Sequence, residues 1–165
     1  MLTPTIIVAE QGELWLAALR TSVRRSAPLR VEPTWLHVTA REDVAPGIAR
    51  SGAAFVVVEA TLHAAASDVL QLCQWRETFP TACFIAAVDR HELPRPSSDL
   101  VWALREAGAV HVLTSPRRAA EALPLLERHC NRLGVAGEWG GGNWNRHFTT
   151  ILSKLPPCWG IRGDE

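Results

Sequence analysis

Two rhythms of apolar residues alternate along most of the chain. Short unbroken apolar runs, such as Thr5-Ile6-Ile7-Val8 and Ala53–Val58, are followed by stretches in which apolar residues return every three or four positions. An unbroken run suits a parallel strand covered on both faces, and the second spacing suits an amphipathic helix. The pattern predicts a first strand at 5–8 and a helix over Glu13–Arg25 with Leu14, Ala17, Ala18, Leu19 and Val23 at helical spacing. Leu29–His37 reads as a weaker strand interrupted by Pro33, which cannot donate to a ladder and so belongs at a sheet edge. Asp43–Arg50 is a short helix, and Ala53–Val58, the strongest strand signal, should be central.

Ser67 is a candidate N-cap for a third helix through Phe79, with Val69, Leu72, Trp75 and Phe79 on one face. Ala82–Val88 is the fourth strand, and Asp89–Pro96 a polar, proline-bearing loop. A fourth helix capped by Ser98 or Asp99 runs through Ala107 and ends at Gly108. His111–Thr114 is the fifth strand, and a fifth helix spans about Arg117 to Leu133. Five βα units in this order predict an α/β, (βα)5 flavodoxin-like three-layer sandwich with right-handed crossovers and a parallel sheet of strand order 2-1-3-4-5.

The pattern changes after residue 133. Gly134, Gly137 and Gly140-Gly141-Gly142 read as a linker over 134–146. A short tail over 147–165 places Phe148, Ile151, Leu152 and Leu155 at helical spacing before Pro156. The chain thus divides into a domain at 1–133, a linker and an apolar C-terminal extension.

Composition narrows the functions. The chain has 165 residues, 47% hydrophobic, with 17 basic and 17 acidic side chains balancing to zero. That supports one folded core and argues against nucleic-acid binding through excess positive charge. No apolar run approaches the roughly 20 residues a membrane span needs, and the N-terminus lacks the pattern of a secretory signal. The four cysteines form no CxxC pair, so unpaired thiols in a reducing cytoplasm are expected. Only one of the 17 basic residues, Lys154, is lysine.

The segment Gly108–Pro116, the run Trp75–Pro80 with strand Cys83–Val88, and the opening Thr5–Gln11 together resemble response-regulator receiver (CheY-like) domains. The resemblance covers roughly residues 4–133. It implies a phosphoryl switch: Mg²⁺ held by two acids after the first strand and by an acceptor Asp after the third, with a hydroxyl after the fourth strand and a Lys after the fifth contacting the phosphoryl oxygens.

Carried over position by position, most of that chemistry is missing. The acid pair becomes Ala9 and Glu10, the acceptor position is Glu59, the hydroxyl position falls on Ala87 or Val88, and the lysine position is Ser115. The expectation is therefore a degenerate pseudo-receiver that is not an enzyme and holds no metal or cofactor. Glu59 could act as a fixed carboxylate mimic of the phosphorylated state, but without a lysine or hydroxyl to read it the plainer reading is a polar residue at a strand end.

Other motifs carry less. The glycine run has no P-loop lysine after it, His63 has no paired acid or Cys in sequence, and Ser115 with His111 or His63 has no nucleophile elbow and no third member. Trp75 is spaced as core. Trp102 lies off the Val101, Leu104, Ala107 face and is expected either exposed beside Arg105 or folded over the 94–96 loop. In the resembling family the surface of the fourth helix, fifth strand and fifth helix is the usual docking and dimer face. The first expectation is thus a cytoplasmic protein–protein interaction module of bacterial signalling, phosphorylation-independent. Its contacts would come from Trp102, Arg105, Arg117 and the tail residues Trp144, Phe148, Leu155 and Trp159, with a protein partner or a second copy. The tail either docks on a partner or folds back on its own domain. The alternative is a small-molecule sensor at the C-terminal strand ends, lined by Glu10, Glu59, His63 and Ser115.

Overall fold

Each strand shows its two faces to two separate cores, and that alternation builds the molecule. The computed structural model describes residues 4–26, 33–51, 54–88 and 98–138. Strands β1 (Thr5–Ala9), β2 (Thr34–Val38), β3 (Ala54–Ala60), β4 (Cys83–Val88) and β5 (His111–Leu113) form a parallel sheet of order β2-β1-β3-β4-β5. Among the described residues a helix follows each strand: α1 (Leu14–Arg25), α2 (Val44–Ser51), α3 (Ala65–Thr78), α4 (Ser98–Glu106) and α5 (Leu123–Glu138). Three-residue and seven-residue 3₁₀ segments, Arg41–Asp43 and Pro116–Ala122, lead into α2 and α5.

Ile7, Val56, Val58, Phe84, Ala86 and Val88 pack against Val44, Ile48, Leu72, Trp75, Leu100 and Leu104 of α2, α3 and α4. The intervening residues Ile6, Val8, Phe55, Val57, Ile85 and Leu113 pack against Trp15, Leu16 and Leu19 of α1 and Leu126 and Cys130 of α5. β1 and β3 are buried on both faces, which explains their unbroken apolar runs. At about 1.5–3 kcal/mol for each fully buried large aliphatic side chain, these two clusters are the dominant stabilising contribution.

The predicted fold, sheet order and edge placement of the second strand agree with this architecture. Pro33 stands just before β2 at the sheet edge, where no ladder donor is needed. Several local details differ. The inward face of α1 is Trp15, Leu16 and Leu19, leaving Leu14 46% exposed. α3 starts at Ala65 with Ala64 at its N-cap, so Ser67 lies inside the helix, and its buried face is Asp68, Leu72 and Trp75.

Gly108, after α4, has φ +114, and a Cβ there would collide with the Arg76 side chain, so glycine satisfies both the backbone and the space. The fifth helix is preceded by the 3₁₀ segment and continues to Glu138, through Gly134 and Gly137 of the expected linker. The 89–97 loop, the start of the expected second strand, and the tail residues Trp144, Phe148, Leu155 and Trp159 lie outside the described residues.

Candidate functional site

The carboxyl ends of β1, β3 and β4 bring together the residues at which the resemblance places its chemistry. Ala9 closes β1 with its methyl buried. Glu10, next in sequence, is 4% exposed, and both its oxygens face α1. Oε2 accepts from the Trp15 backbone N–H at 2.9 Å and Oε1 from that of Leu16 at 2.8 Å. Those donors belong to the first turn of a helix, where N–H groups have no partner within the helix and the dipole favours a negative charge. Glu10 is thus a remote helix cap that fastens α1 to the end of β1.

Glu59 lies at the end of β3, beside the β1–α1 loop. Its Oε2 accepts from the Gln11 backbone N–H at 3.0 Å, while the Gln11 side-chain amide donates to the Thr39 carbonyl at 2.9 Å. Gln11 therefore ties the strand ends of β3 and β2 together. In the sheet register Glu59 pairs with Ala87 and Ala60 with Val88. Ala87 packs among the side chains of the α1–α5 layer and Val88 among those of the α2–α4 layer, so neither candidate for the hydroxyl position presents one.

Ser115 follows β5 and is 5% exposed. Its hydroxyl oxygen accepts from the Arg117 backbone N–H at 3.4 Å, capping the 3₁₀ segment that begins at Pro116. His63 is an exposed residue of the loop after β3.

One feature of this strand end was not read from the sequence. Asp68, 4% exposed on α3, pairs with the Arg41 guanidinium and accepts from the Thr61 backbone N–H at 2.9 Å. Arg41 also donates to the Glu59 carbonyl at 3.4 Å. The pair links the loops after β2 and β3. Its signal in the sequence was Asp68 standing four and seven positions before Leu72 and Trp75, on the apolar face, where a carboxylate requires a partner.

These residues do not fit a divalent cation held as the resemblance implies. Ala9 supplies no oxygen from its side chain, both Glu10 oxygens serve α1, and Glu59 serves Gln11. Among the described residues no group of three His, Cys, Asp or Glu side chains could hold a metal ion.

On the other candidate surface, Trp102 is 67% exposed on α4, and Arg105 stands one turn further along the same helix, also exposed. Arg117 is exposed beyond the opposite end of β5 from Arg105. Between them Glu121 accepts from Arg118 Nε at 2.6 Å and lies 3.1 Å from His111 Nε2, and Arg118 also reaches Thr114 at 3.2 Å. The hydrogen bond from Arg118 holds the Glu121 carboxyl below its ordinary range. The surface of α4, β5 and the following 3₁₀ segment is thus a partly ordered polar face with a bare indole at one edge.

The sheet order and the five alternating helices define the flavodoxin-like fold that receiver domains share. Among solved structures, the chain is similar to a CheY-like protein (TadZ) from Pseudomonas aeruginosa PAO1, with a TM-score of 0.59 and 17% identity over 78% of this chain and 94% of that one. It is similar also to a response regulator from Thermotoga maritima, with a TM-score of 0.58 and 17% identity over 79% and 99% of the two chains. The isolated receiver domain of RcsB from Salmonella enterica serovar Typhimurium matches with a TM-score of 0.55 and 12% identity, over 79% and 98%. At these identities the likeness is one of fold. No family model matches the chain, and no curated protein matches it. No helix among the described residues is long and apolar enough to cross a membrane.

Proposed function

We propose that this chain is a phosphorylation-independent, receiver-like module that binds a protein partner in bacterial signalling or regulation, through the face of α4, β5 and the 3₁₀ segment leading to α5. It performs no chemistry of its own. The observation that carries the reading is Trp102. An indole two-thirds exposed leaves a large apolar surface in water, and interfaces draw their strongest contacts from Trp and Arg. Arg105 lies on the same helical face and Arg117 at the far end of the surface.

The strand-end geometry supports the absence of a phosphoryl switch. An acceptor reaction needs a metal and a cation to stabilise the charge developing on the phosphoryl group. Here Glu10 is occupied in capping a helix and Ser115 in capping a turn. The tail residues Trp144, Phe148, Leu155 and Trp159 belong to the proposed contacts on the strength of their sequence alone.

The test is capture of a partner by the full chain in its native host, with reconstitution from purified components. Trp102→Ala and Arg105→Glu should each weaken the purified complex at least about tenfold, while Leu70→Ala, at an exposed position of α3, should leave it unchanged. Sedimentation of the chain alone distinguishes a second copy from a different protein as the occupant. A complex that tolerates both substitutions on α4 would remove the docking face from this reading.

A further inference from the structure

At the opposite end of the sheet from Glu59, the segments entering β4 and β5, the last turns of α3 and α4, and one side of α5 frame an open cleft of about 730 Å³. That volume is in the range of small-molecule sites. Its rim carries four guanidinium groups, those of Arg76, Arg105, Arg128 and Arg132. No carboxylate stands among its described lining residues, and none of the four arginines forms an ion pair with another described residue. Like charges gathered without counter-charge repel one another, and a bound anion relieves that repulsion.

A second observation is independent of the charge. His129 lines the same cleft and is only 8% exposed, its ring tilted on Phe55 with centroids 5.9 Å apart. Its Nε2 is buried with no hydrogen-bond partner among the described residues. A buried polar atom left in that state is unfavourable and calls for an explanation.

The rest of the wall is compatible. Phe84 and Leu125 supply apolar surface, and burial pushes the Cys83 thiol up to about 11, so the sulfur stays neutral at physiological pH and adds no negative charge.

We propose that this cleft binds a small phosphorylated organic ligand of roughly nucleotide size, its phosphoryl oxygens held by the arginine rim and its organic part lying over Phe84 and Leu125 beside His129. Guanidinium groups match phosphoryl oxygens with paired, charge-assisted hydrogen bonds, and four of them suit a group bearing more than one negative charge. The site is separate from the strand ends that carry Glu59. It meets the proposed docking face only at Arg105, which is left unaltered in the test so that the two readings fail separately.

The test is calorimetric titration of the full chain at about 0.15 M salt, a physiological screening strength, with ADP, inorganic pyrophosphate and adenosine as probes. ADP should bind with a Kd below about 1 mM, pyrophosphate more weakly, and adenosine not measurably. Addition of ADP should shift the His129 imidazole resonances. Arg128→Ala with Arg132→Ala, both at exposed positions, should melt like the parent chain and weaken ADP binding at least about tenfold. Failure of both phosphate probes to bind overturns the proposal, as does ADP affinity that survives the double substitution. Pyrophosphate binding as tightly as ADP overturns the organic part of it.

Discussion

Glu10 caps α1 with both of its carboxylate oxygens. Two charge-assisted bonds to backbone N–H groups at a helix start are each stronger than a neutral hydrogen bond, and their loss leaves two buried donors without partners. Glu10→Ala should therefore lower the unfolding free energy by about 2 kcal/mol, read as a fall in the urea midpoint with an unchanged slope. His129 gives a second prediction at this scale. Burial, reinforced by the Arg132 charge, holds its imidazole pKa below the ordinary value of 6.5. Below that value the unfolded chain takes up a proton that the native chain resists, so stability falls as pH drops through about 6.5 and is level above it. Urea melts across pH 5 to 8 should show this fall, and His129→Phe should flatten it.

Elements here were legible wherever a single rhythm governed them. β1 and β3 announced themselves because both faces are buried, and Gly108 marked the end of α4 because its φ of +114 suits no other residue well. Errors arose where tertiary contact overrode a local signal. The helical spacing in α1 includes Leu14, yet Trp15 lies in the core and Leu14 does not. Ser67 reads as the cap of α3, whereas the helix starts at Ala65 and its buried polar residue is Asp68, whose partner Arg41 is 27 positions away. No local pattern specifies such a pair. Removing the arginine leaves a buried carboxylate without its cation, so Arg41→Ala should destabilise the protein by about 3 kcal/mol. Arg41→Lys, which keeps the charge but not the fork geometry, should recover part of it, as differential scanning calorimetry can show.

The fold of the whole molecule followed from the sequence because five alternations of strand and helix leave few right-handed parallel arrangements, and the sheet has the expected order. Ala9 closes β1, Glu10 follows it, Glu59 is the penultimate residue of β3 and Ser115 follows β5, positions that the order of strands in the sequence already gives. Their hydrogen-bond partners were not legible there, because which backbone group Glu10 or Ser115 serves depends on the geometry of the following helix. The basic cleft was invisible for a related reason: its arginines come from three helices, α3, α4 and α5, and a balanced net charge concealed them.

The absence of a phosphoryl switch, central to the proposed function, is open to direct measurement. The direct measurement is the amide NMR spectrum of the full chain with Mg²⁺ alone and then with Mg²⁺ and beryllofluoride, a phosphoryl analogue. The account predicts no saturable shifts at Gln11, Glu59, Thr61 or Ser115 in either case. Saturable shifts at these residues, extending to Trp102 on α4, would contradict it and restore a working switch.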